Sequence, residues 1–136
     1  MGLVTPTHER GWCSFDLTGQ TSHAAGADGT VGHIINPEGV AILITRCIVY
    51  ADENSIGAAN LTIGIATTVA GAHDRTDLAA AHALAAAEGT AWQGMAHGDA
   101  DDAPVLLAAG SYIAAYASAD SSGFSGKAYV EYVRVD

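Results

Sequence analysis

The chain has 136 residues, enough for one domain that buries a core without a metal or a disulfide framework. Fifteen acidic against five basic residues give a formal charge of −10, which repels phosphate backbones and anionic lipid, so neither nucleic acid nor membrane is expected as a partner. Hydrophobic residues reach 49% but aromatics only 7%, and sixteen glycines separate short apolar runs; this composition predicts an all-β sandwich with a thin core.

Residues 1–29 differ from the rest. They hold Pro6, the charged run His8-Glu9-Arg10, one short apolar piece and a stretch of small residues, and they predict an extended N-terminal arm or a loosely attached first strand, anchored by Trp12 and Phe15, that closes the sheet edge or reaches across to a partner. The segment lacks the basic start of a signal peptide, so synthesis in a cytoplasm is expected. A β-sandwich domain is predicted over residues 30–136. Its first strand is 31–35, and Asn36-Pro37-Glu38-Gly39 supplies a turn.

Residues 40–51 follow, Val-Ala-Ile-Leu-Ile-Thr-Arg-Cys-Ile-Val-Tyr-Ala, with the β-branched and aromatic bias of a long central strand. Strict alternation gives it two largely apolar faces, Ile42/Ile44/Arg46/Ile48/Tyr50 and Leu43/Thr45/Cys47/Val49/Ala51. One face belongs to the core; the other needs cover from this chain or from a neighbouring subunit. Residues 60–69 alternate Leu61/Ile63/Ile65 with Thr62/Gly64/Ala66, a half-buried strand in close contact with another layer.

The pattern then breaks. Residues 77–88 are alanine-rich, with Asp74 or Thr76 as a cap and Gly89 as a stop, and they predict one short helix over about 76–88. Short strands are expected at 91–95, around Trp92, and at 104–108 and 111–118, parted by Gly110. A last strand is expected at 127–135, built into the sheet. The loops after Tyr50 and Tyr116 echo each other, acidic with Ser and Gly, and read as two equivalent hairpin turns.

The search for chemistry yields no catalytic set and no cofactor motif. Gly126-Lys127-Ala128 lacks the glycine at the head of a phosphate loop and the Ser or Thr after its lysine. Ser125 misses the spacing of a nucleophile elbow and precedes a strand. His73, His82 and His97 with Asp74 or Asp99 offer no metal-ligand spacing, and Asp99/Asp101/Asp102 and Asp52/Glu53/Asn54 read as solvated turns, so no metal is expected. Cys13 and Cys47 read as two buried thiols. The residues singled out are therefore those of an interface: Trp12, Phe15, Arg46, Tyr50 and Trp92.

The order of elements from Ile-Ile-Asn-Pro-Glu-Gly at 34–39, through Thr-Arg-Cys-Ile-Val-Tyr at 45–50 and Leu-Thr-Ile-Gly-Ile-Ala at 61–66, to the strands at 104–113 and 126–133, resembles the small jelly-roll decoration, or cement, proteins of tailed bacteriophage heads. The resemblance covers about 31–136 and is one of pattern. It implies a jelly-roll fold, a homotrimer on the outer capsid surface, the major capsid protein as partner, and a structural virion protein that is not an enzyme. The competing expectation is a tail-fibre or spike module that recognises a receptor or glycan through loops 52–59, 97–103 and 119–126, with Phe124 as the aromatic in those loops.

Overall fold

The structure, a computed structural model, describes residues 10–93 and 104–135. Nine strands follow in chain order: β1 (Arg10–Thr18), β2 (Thr30–Ile35), β3 (Ile42–Glu53), β4 (Asn60–Ala66), β5 (Ala79–Ala83), β6 (Ala91–Gln93), β7 (Val105–Leu107), β8 (Tyr112–Ala117) and β9 (Ser125–Arg134). They form an all-β sandwich of two antiparallel sheets. The front sheet has the order β1-β9-β3-β6, with β7 also on β3, and the rear sheet β2-β8-β4-β5. β6 faces Ile48 to Tyr50 and β7 faces Ile42 to Ile44, so the two are halves of one interrupted edge strand. The chain alternates between sheets from β1 to β4, stays in the rear for β5, returns to the front for β6 and β7, and alternates again through β8 and β9. That is a jelly-roll-like wrapping.

The core lies between the sheets. Phe15, Leu17, Ile42, Ile44, Cys47, Val49, Leu107, Val130 and Tyr132 face it from the front; Val31, Leu61, Ile63, Leu78, Leu84 and Ile113 face it from the rear. Alanines 79, 115, 117 and 128 fill the narrow places, which is why so few aromatics suffice. At the turn between β2 and β3 the buried Asn36 gathers the backbone: its amide donates to the carbonyls of Val40, Leu107 and Ala108, and its side-chain oxygen accepts from the Glu38 N–H.

Three sequence expectations are corrected, and one alternative is decided. β3 does not alternate strictly, because a bulge between Ile44 and Arg46 inserts Thr45 against β9. The buried set therefore shifts from Ile42 and Ile44 to Cys47, Val49 and Ala51, and Arg46 and Tyr50 turn outward.

The predicted helix over 76–88 is strand β5 followed by turns. Leu78 and Leu84, both fully buried, bracket the strand, and their N–H groups donate to Ile63 and Ala59 carbonyls at 2.9 Å. An isolated helix of twelve residues gains little in water, whereas the free edge of β4 offers a row of unpaired backbone groups; pairing outweighs alanine's helix preference.

Of the two readings of the N-terminal segment, the first strand holds over Arg10–Thr18: it pairs with β9 along its whole length, more firmly than a loose attachment, and closes the front sheet's edge. The inward alternation of Cys13, Phe15 and Leu17 draws it in, so residues 10–18 share the core of the domain predicted to start at residue 30. Residues 1–9 lie outside the described residues.

The echoing loops are not hairpins. Each crosses between sheets, and the two lie side by side, with the Ile56 N–H donating to the Ser122 carbonyl at 2.8 Å.

Candidate functional site

Each sheet has an outer face, and the chain treats them differently. On the rear sheet the outward residues of β8 and β4 include the small Ala114, Gly64 and Ala66 together with Thr62, Tyr112 and Tyr116. A 3-10 turn (Ala70–Ala72) lies over the small ones, burying Ala72, Ala114 and Tyr116 in a second small cluster with Val69. The Tyr116 hydroxyl accepts from the Gly26 N–H at 3.1 Å and donates to the Val69 carbonyl at 3.0 Å. His73 stands edge-on to the Tyr116 ring, with centroids 4.9 Å apart. Next to the turn, Arg75 makes two hydrogen bonds to Asp77, whose carboxylate also accepts from the Ile65 N–H. The Arg75 guanidinium holds the Asp77 carboxyl below its usual range.

On the front sheet no described segment lies over the outward side chains, which form rows by strand register. Arg10, Val133, Leu43 and Leu106 make the first row; Trp12, Glu131 and Arg46 the second; Ser14, Tyr129, Ile48 and Gln93 the third; Asp16, Lys127, Tyr50 and Ala91 the fourth. Trp12, Leu106, Tyr50 and Tyr129 are between 40% and 57% exposed. Three of the chain's five cationic side chains, Arg10, Arg46 and Lys127, stand in these rows, on a protein whose net charge is −10. Arg46 has no ion-pair partner among the described residues. Lys127 lies 3.6 Å from Asp16, an exposed pair worth little in water.

At the loop end of this face a groove of about 450 Å3 opens between Tyr129 and Tyr50, lined by Asp16, Thr18, Asp52, Ser125 and Lys127.

The five residues expected at an interface thus divide. Trp12, Arg46 and Tyr50 share the front face. Phe15 is corrected to a core residue, 7% exposed, because it sits at an inward position of β1. Trp92 is half-buried at the side of the sandwich, stacked on His82 with centroids 3.7 Å apart and planes 15° from parallel. Burial lowers the His82 pKa, which favours the neutral ring. Sequence reasoning missed Tyr129, Leu106 and Lys127 as members of the face. The alternation of β9, with Tyr129 and Glu131 opposite Val130 and Tyr132, was the signal available for Tyr129.

The described part of the metal candidates stays scattered. His73 touches Asp74 at 3.1 Å and His82 stacks on Trp92, and no group of three potential ligands occurs among the described residues. His97, Asp99, Asp101 and Asp102 lie outside them. Asn54 bonds Glu88, locking one loop to another. The two thiols are free and flank Val130 in register; burial pushes Cys13 up to about 11 and Cys47 up to about 12, so neither is a reactive thiolate. Of the recognition loops, 52–59 and 119–126 meet at one end, but Phe124 is buried and presents no ring to a ligand. No protein-family model matches the chain, and no curated protein and no solved structure matches it significantly.

Proposed function

We propose that this is a structural virion protein, a decoration or cement protein that binds the outer surface of a tailed-phage head as a homotrimer and braces neighbouring copies of the major capsid protein. The observation that carries the reading is the uncovered end of the front face, where Trp12, Arg46 and Leu106 stand in adjacent rows. Tryptophan and arginine are the residues that dominate binding energy at protein interfaces, and here both project from a stiff sheet. The resemblance in element order from residue 31 onward points the same way. A cement protein works by repetition: each contact is shallow, and symmetry multiplies it over a lattice, so no deep pocket is needed.

Co-sedimentation with heads of the encoding phage, assembled without this protein, tests the reading. Saturable binding that falls at least tenfold with Arg46→Glu, together with a native mass of three chains, is the expected result. A monomer that never sediments with heads would refute it.

A further inference from the structure

The groove at the loop end of the front face lies on rows three and four and just beyond them, away from Trp12 and Arg46. Its lining carries unspent bonding capacity: the side chains of Tyr50, Asp52, Ser125 and Tyr129 make no hydrogen bond or ion pair among the described residues. Tyr129 and Tyr50 occupy diagonal positions on neighbouring strands, Tyr129 opposite Ile48 and Tyr50 two residues further on. Such positions lie about 7–8 Å apart, so the two side chains are neighbours across the groove.

The lining chemistry selects among occupants. An anionic ligand meets the two carboxylates of Asp16 and Asp52 against the single ammonium of Lys127, on a protein of charge −10. An apolar ligand would strip water from two carboxylates, an ammonium and four hydroxyls without replacing a single hydrogen bond. A neutral, hydroxyl-rich ring satisfies all of them. Its C–H faces would lie on the tyrosines, and its hydroxyls would donate to the acceptor-only carboxylates, accept from Lys127 and exchange with Thr18 and Ser125.

We infer that the groove bounded by Tyr50 and Tyr129 binds a short neutral saccharide. The site lies on rows three and four, beside the rows that carry the docking reading and using none of their residues.

Isothermal titration of the full chain with maltotriose, cellotriose, mannotriose and tri-N-acetylchitotriose, and with sialyllactose as the anionic control, tests the inference. Saturable binding of at least one neutral trisaccharide is expected, weakened at least tenfold by Tyr129→Ala and by Asp52→Asn and unchanged by Trp12→Ala, in variants whose melting curves match the parent. Tyr129→Phe retains the platform and should retain most of the affinity. Absence of saturable binding by all four neutral sugars at millimolar concentration overturns the inference, as does equal binding of sialyllactose or indifference to Tyr129→Ala. Loss of head sedimentation with Tyr129→Ala would assign the groove to the protein interface and also overturn it. Sedimentation of Arg46→Glu speaks only to docking, so the two readings fail separately.

Discussion

On the outer face of the rear sheet, Gly64, Ala66 and Ala114 lie under the chain's own 3-10 turn while Ile35 and Tyr112 stand in the row at its margin, whereas the outer face of the front sheet is built from Trp12, Tyr129, Tyr50 and Arg46 and lies under no described segment. Side-chain size separates them. A segment can settle on a sheet only where the residues beneath it are small, and Gly64 is the limiting case: a Cβ there would run into Arg75. Large amphipathic side chains forbid that approach, yet tolerate water through their polar atoms and keep their apolar area for a partner. The same sandwich thus has one face partly covered by its own chain and one under no described segment, and the proposed function assigns docking to the Trp12 and Arg46 rows of the second.

The largest effect is expected where the chain covers itself. Tyr116 is 1% exposed and is the only large residue in the rear cluster, so Tyr116→Ala should cost about 3–5 kcal/mol of unfolding free energy, read from urea denaturation. Tyr116→Phe removes only the hydroxyl that ties Gly26 to Val69 and should cost about 1–3 kcal/mol. If both variants were neutral, the cover would contribute nothing and the contrast between faces would collapse.

Next in size is Gly64→Val, which forces a side chain against Arg75 and should destabilise by about 1–3 kcal/mol. Hydrogen exchange should place the damage: amides of 70–77 should lose protection while those of β1 and β9 keep theirs. The equivalent change on the front face, Ser14→Val, meets open solvent and should leave protection unaltered.

How these faces were legible in the sequence follows from what alternation can and cannot encode. The small residues of β4 announced a close neighbour, and the apolar content of residues 40–51 announced a face in need of cover; both are local patterns with period two. The bulge at Thr45 is not local. It arises from register against β9, over eighty residues away, and it decides that Arg46 and Tyr50 point outward. The alanine-rich stretch misled for the same reason, since the free edge of β4 is invisible to a reading of residues 77–88 alone. The groove was hidden too, because Asp16, Asp52 and Lys127 come from three strands that only the sheet order β1-β9-β3 brings together.

A smaller effect concerns the protons buried beneath the front face. Burial, then the Glu38 carboxylate that accepts the Tyr132 hydroxyl at 2.8 Å, pushes Tyr132 up to about 12, and burial pushes Cys13 and Cys47 to about 11 and about 12. Each folded value lies above the ordinary one, 10.0 for the phenol and 9.0 for the thiols, so the folded state holds these protons longer than the unfolded chain does. Their contribution is whole below pH 9 and is lost as the pH rises from about 9 to about 12. Melting temperature should fall along that interval, and Tyr132→Phe should flatten the decline above pH 10. An unchanged slope would show that the phenol is not held as described.

The smallest effect on stability, and the sharpest test of the contrast, is Trp12→Ala. Trp12 is 56% exposed, faces away from the core, and sits beside Glu131 on the front sheet. Removing it deletes no core contact, so unfolding free energy should change by less than about 0.5 kcal/mol. Association should respond far more: an exposed tryptophan buried at an interface contributes on the order of 2 kcal/mol or more, at least a tenfold loss in affinity for copies of the chain or for the shell. Tyr116→Ala should give the opposite pair of results per unit of folded protein, a large loss of stability and unchanged association. A Trp12→Ala variant that unfolds early yet sediments normally would mean that the front face is finished by folding after all, and that the two faces differ in composition without differing in purpose.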